Sequence, residues 1–151
     1  MRKAAYMTKL FVDTDEVFRQ YMAMSSKQPK PTAGELEILR VLWESGPSSV
    51  REIQRTLDQI KPTGYTTVLK LVQIMTDKGL VQRDEGQRPQ IYHARYRREQ
   101  TQRQLLLDLV ERAFGGSVKA LVLQALATRR SSREELEQIE KLLDRMEGGT
   151  K

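Results

Sequence analysis

The sequence has 151 residues, 26 Lys+Arg against 20 Asp+Glu for a net charge of +6, and 30% charged residues, above the usual ~25%; it fits one domain, or two small ones, with a heavily charged surface. Zero Cys and a single His, His93, leave no disulfide frame, no thiolate metal site and no histidine-based one, so no cofactor or metal is expected. No apolar run exceeds four residues, far short of the ~18 or more of a membrane helix, and the N-terminus has no apolar segment or small-residue cleavage site of a secretory signal; the expectation is a soluble cytoplasmic protein with no membrane partner.

Residues 1–31 read as an N-terminal extension and linker. A short helix is expected from Asp13, which has capping-box spacing with Glu16 and precedes an apolar stripe of Val17, Phe18, Tyr21 and Met22. Met24 to Pro31, with two prolines among Ser, Lys and Gln, is the linker. Thr32-Ala-Gly-Glu35 is a capping box that opens a helix with apolar positions Leu36, Leu39, Leu42 and Trp43, stopped by Gly46-Pro47. Ser49-Val-Arg-Glu52 has the same spacing and opens a second helix, with Val50, Ile53 and Leu57 inward, that must end before Pro62.

Thr63-Gly64 precedes a third helix with two unlike faces. Val68, Leu71, Val72 and Met75 point inward, whereas Thr66, Lys70, Gln73 and Asp77 share another side, with Thr67 beside Lys70; Gly79 ends the helix in the left-handed conformation. Two strand-like runs follow, Leu80 to Asp84 and Gln90 to Tyr96, around the loop Glu85-Gly-Gln-Arg-Pro89, making a β-hairpin with Arg88 at its tip. Three capped helices and a hairpin predict a winged helix-turn-helix domain over residues 32–97.

The last third predicts three more helices. The first runs from about Arg98 to Phe114, breaking at Gly115-Gly116-Ser117; the second from Ser117 to about Thr128; the third follows the capping box Ser132-Arg-Glu-Glu135. Their apolar stripes are wider than three short helices can cover, so residues 98–147 are expected to form a homodimer interface through Leu106, Leu109, Val110, Ala113, Phe114, Leu121, Val122, Leu136, Ile139, Leu143 and Met146. Residues 148–151 are a tail. The fold class is mainly α with a small β-hairpin, a winged helix-turn-helix domain followed by a three-helix dimerisation domain.

Charge and side-chain chemistry point to double-stranded DNA. Residues 24–97 hold twelve Lys+Arg against eight Asp+Glu, while each flank has an excess of only one. A major groove about 12 Å wide admits one helix and is read by side chains that exchange hydrogen bonds with base edges or touch thymine methyls. Thr66, Thr67, Lys70 and Gln73 are of this kind. Thr63 and Tyr65 at the helix start can reach phosphates, and Arg51, Arg83 and Arg88 can grip the backbone; Lys78, Arg95 and Arg97 are weaker candidates. The alternative is a winged helix that uses the same face on a protein partner and never touches DNA. Trp43 and Tyr92 are assigned to the core. One His, no Cys, and acidic pairs confined to caps, turns and helix surfaces assemble no nucleophile, base and orienter, so the protein is read as a non-enzyme.

The stretches LEILRVLWESGPSSVREI, GYTTVLKLVQIMTDKGLV, IYHARY and AFGGSVKALVLQAL, together covering about Pro31 to Met146, resemble the penicillinase-repressor family of bacterial transcription regulators. The resemblance implies a homodimeric winged-helix repressor on a palindromic operator, with Thr66, Thr67 and Lys70 at recognition positions. It further implies a sensor-linked protease as a partner in several members, which cut the repressor in the dimerisation region, often at an Asn-Phe bond. This sequence has no Asn, and the resemblance places the corresponding bond near Asp108-Leu109. The cysteine cluster of the copper-responsive branch is absent.

Overall fold

The structure, a computed structural model, describes residues 28–148 and Arg19. The helix expected from Asp13, and the linker before Gln28, lie outside the described residues. Six helices and one hairpin follow in chain order: α1 (Ala33–Ser45), α2 (Val50–Asp58), α3 (Tyr65–Lys78), β1 (Val81–Asp84), β2 (Ile91–Ala94), α4 (Arg98–Ala113), α5 (Val118–Thr128) and α6 (Arg133–Gly148). The chain divides into two compact units, one ending at Leu105 and the other beginning at Leu106.

The helices of the first unit start where side chains satisfy orphan backbone donors. Thr32 Oγ1 accepts from Glu35 N–H while the Glu35 carboxylate accepts from Thr32 N–H, a complete capping box, and Ser49 Oγ accepts from Glu52 N–H at the head of α2. Gly79 ends α3 at φ 81, donating back to Thr76, and Leu80 N–H bonds Met75 O, so the chain turns at once into β1.

Helices α1, α2 and α3 pack on one another, α3 also on β1 and α1 on β2, around one apolar cluster. Ile38, Ile53, Val68, Val72 and Met75 are completely buried at its centre. Each such aliphatic side chain stabilises the fold by about 1.5–3 kcal/mol, which is why the three helices hold a fixed arrangement. The buried side of α1 is broader than its expected stripe: Ile38 and Val41 are buried with Leu39 and Leu42, while Leu36 and Trp43 are only partly covered. The reason is geometric, since α1 meets two helices and a strand at once. Trp43 still belongs to the core edge, its Nε1–H donating to Tyr96 O at 3.0 Å, and Tyr92 is buried as expected.

The hairpin is antiparallel with Gln82 opposite His93 and Arg83 opposite Tyr92. A further pairing joins Ser48 to Tyr92 by two backbone hydrogen bonds of 2.9 and 3.0 Å, anchoring the wing to the α1–α2 connection. Gln28 is also tied into this unit: its amide donates to Thr101 Oγ1, and Gln104 Nε2 donates to its backbone carbonyl at 2.7 Å. Thr101 and Gln104 are buried, so the start of α4 belongs with the winged helix, and the seam lies at Leu105/Leu106 in place of the expected Arg97/Arg98.

In the second unit the chain leaves α4 through Gly115 and Gly116, both at positive φ, with Gly116 N–H bonding Val110 O. Ser117 caps α5 by accepting from Ala120 N–H, and Ser132 and Glu135 form a reciprocal box at α6. Neither α5 nor α6 has a single buried residue. Among the described residues no helix is long and apolar enough to cross a membrane.

Candidate nucleic-acid interface

The turn from α2 to α3 is braced by its own polar side chains. Gln54 Nε2 donates to Thr63 O at 2.9 Å, Asp58 accepts from Thr63 N–H at 2.9 Å, and the Thr63 hydroxyl donates to Lys61 O at 2.8 Å. Thr63, expected at a phosphate, therefore has its one hydroxyl proton engaged in shaping the turn, and a phosphate oxygen would need that proton. Its place is in the brace that aims α3.

Helix α3 separates its faces as the spacing predicts. Val68, Val72 and Met75 lie in the core, and Thr66, Thr67, Lys70 and Gln73 are all exposed on the opposite side with Asp77. Among the described residues of the same unit none covers them. Gly64, the N-cap, brings no side-chain hydrogen bond, so the first-turn N–H groups of α3 are left for an outside acceptor. Ile74, 41% exposed, shares this side, three and four residues removed from neighbours on the same face. Spacing alone does not single it out, since an isoleucine next to Met75 can equally serve the core; its exposed side chain is an apolar surface beside Lys70.

The arginines around α3 differ in how free they are. Arg51, in the first turn of α2, stacks on Tyr65 with its guanidinium carbon 4.4 Å from the ring centroid, so two residues read separately from the sequence form one unit. Arg88 is exposed in the hairpin turn. Asp84 shapes that turn by accepting from Gly86 N–H and Gln87 Nε2. Arg83 is exposed too, but it donates to Glu85 at 3.1 Å, and this hydrogen bond raises its pKa above the ordinary guanidinium value. Lys78 is committed inward: its ammonium bonds both Glu35 carboxylate oxygens at 2.7 and 3.0 Å, and Glu35 is only 2% exposed. The pair ties the end of α3 to the start of α1. Arg95 lies over Tyr96, and His93 bonds Gln82 across the strands.

Of the residues expected at a subunit interface, Leu106, Leu109, Ala113, Val122, Leu136, Leu143 and Met146 are exposed, Phe114, Leu121 and Ile139 half-buried. Val110 departs from them: at 3% exposure it is buried within the chain and adds nothing to the open surface. The Asp108-Leu109 bond lies inside the continuous helix α4, with Asp108 paired to Arg112 one turn on at 2.7 Å. Among the described residues no group of three or more His, Cys, Asp or Glu is gathered as metal ligands would be.

A braced helix-turn-helix, a wing hydrogen-bonded to it, and an uncovered polar helix face define a winged-helix protein of the nucleic-acid-binding kind. Comparison with known proteins narrows the class. Residues 31–145 match the Penicillinase repressor family, and the chain belongs to that family; it is a DNA-binding transcriptional regulator. It is similar to the penicillinase repressor of Staphylococcus aureus, 19% identical over 121 residues that cover 80% of this chain and 96% of that one. A solved MarR family protein from Bacillus stearothermophilus aligns with 97% of this chain and 94% of its own at 20% identity, with a TM-score of 0.44.

Proposed function

We propose that the protein is a cytoplasmic, homodimeric repressor that binds a palindromic operator and blocks transcription by occupying it. Thr66, Thr67, Lys70 and Gln73 read base edges in the major groove, and Arg51, resting on Tyr65, and Arg88, with Arg83 when it leaves Glu85, hold the backbone. The observation that carries this reading is the α3 face itself: four hydrogen-bonding side chains stand clear of the chain on a helix whose other side is locked in the core. Two-fold symmetry is supported by α5 and α6, none of whose residues is buried and whose leucines and valines would find cover in a second copy. The domain roles follow, residues 32–97 for DNA and the helical part that comes after for association, with the first turns of α4, to Leu105, packed in the winged-helix unit.

Release by a sensor-linked protease at Asp108-Leu109 requires local opening of α4, because the bond is helical and an ion pair spans it. Repression itself needs no such step. Selection of bound fragments from genomic DNA tests the proposal. Recovered fragments are expected to share an inverted repeat whose half-sites lie about one helical turn or a small multiple apart. Recovery without a common sequence, with scrambled and selected duplexes bound alike, would favour a protein partner for the α3 face instead.

A further inference from the structure

We propose that Tyr65 is a platform that holds the Arg51 guanidinium ready for a DNA phosphate, and is not itself a phosphate ligand; the inference rests on the DNA-binding reading above. Arg51 stands in the first turn of α2 and Tyr65 opens α3, so their contact bridges the N-terminal ends of both helices of the helix-turn-helix. The guanidinium carbon is 4.4 Å from the ring centroid, within the range of a cation–π stack. Both residues are exposed, so the stack adds nothing to the core.

The neighbouring cations show why this contact is distinctive. Lys78 is held by Glu35, Lys61 by Glu37 and Arg83 by Glu85, and each must surrender a carboxylate before it can serve a phosphate. Arg51 is held by a ring. A guanidinium held over a ring spends none of its N–H donors on a carboxylate, so they remain for a bidentate acceptor. The side chain is ordered before binding without being neutralised, so less of its rotamer freedom is lost when DNA arrives. A platform uses the ring and not the hydroxyl, whereas a phosphate ligand uses the hydroxyl and not the ring.

That opposition gives the experiment: affinity of the full-length protein for a selected operator duplex, measured across salt for Tyr65→Phe, Tyr65→Leu, Arg51→Ala, Arg51→Lys and the double variant Tyr65→Leu/Arg51→Ala. Tyr65→Phe is expected to bind like the wild type, and Tyr65→Leu to lose about two- to fivefold per half-site, hence about four- to twenty-five-fold for a symmetric dimer. Arg51→Ala should lose more and flatten the salt slope by about 0.9 per phosphate released, and the double variant should bind no worse than Arg51→Ala. Arg51→Lys should keep the slope while losing affinity, because an ammonium keeps the charge but not the planar stack. Unchanged circular dichroism and melting of each variant exclude a folding effect. Tyr65→Phe as weak as Tyr65→Leu would make the hydroxyl the contact and overturn the inference, as would losses that multiply in the double variant. A wild-type protein that binds no duplex overturns the DNA-binding reading as well; one that binds while the variants fail this pattern overturns the platform alone.

Discussion

Helices α3 and α5 are both rich in apolar residues, yet α3 buries Val68, Val72 and Met75 completely while α5, with the sequence VKALVLQALAT, buries nothing. The first has α1, α2 and β1 to pack against and can turn a polar side outward in a fixed direction. The second, like α6, has no buried residue, with Val122 43% and Leu123 57% exposed. One region of the chain is a closed fold that presents a polar surface, and the other, among the described residues, presents an open apolar one. The division of labour proposed above follows from that contrast: rigidity where a groove must be read, unsatisfied apolar area where a second copy must be held.

Ile53→Ala strikes the closed region hardest, leaving a cavity among α1, α2 and α3; a loss of about 2–5 kcal/mol is expected in denaturant unfolding followed by Trp43 fluorescence. Leu143→Glu attacks the open region. It should leave the winged helix folded but cost the proposed dimer about 1–3 kcal/mol per chain by burying a carboxylate, read as a concentration-dependent shift toward monomer in sedimentation. An equal loss of winged-helix stability would show that the two regions are not independent. Lys70→Ala should leave folding and association alone and weaken operator binding by about 1 kcal/mol per half-site, the low end for a base contact because a lysine lacks the bidentate fork of arginine. It should also relax base preference at one position, whereas Arg88→Ala should weaken all sequences alike, as competition assays can show. Smallest is Lys61→Ala, which removes an exposed pair with Glu37 and should change stability by no more than about 0.5 kcal/mol.

Much of the fold was legible because its signals are local. Thr32 with Glu35, Ser132 with Glu135, and Gly79 marked helix ends through bonds made within three or four residues, and α3 wore its two faces in its spacing. What escaped the sequence depends on residues far apart in the chain. The Ser48–Tyr92 pairing uses backbone groups that no residue type betrays, and the Lys78–Glu35 pair joins positions 43 apart, turning a capping residue into the anchor of α3. Ile38 and Val41 widened the core because α1 touches three elements. The candidate site shows the same limit: spacing alone picks out Thr66, Thr67, Lys70 and Gln73, but that Arg51 rests on Tyr65, that the Thr63 hydroxyl is engaged, and that Ile74 faces outward are facts of tertiary packing.

The most direct test of the α3 surface is the affinity for a selected operator duplex and its scrambled counterpart, each titrated against salt. Binding should fall steeply for both, with a log–log slope of about −0.9 for every phosphate neutralised, and the operator should be preferred at every salt concentration. A slope near zero, or equal affinity for the two duplexes throughout, would contradict the assignment of that helix face to DNA.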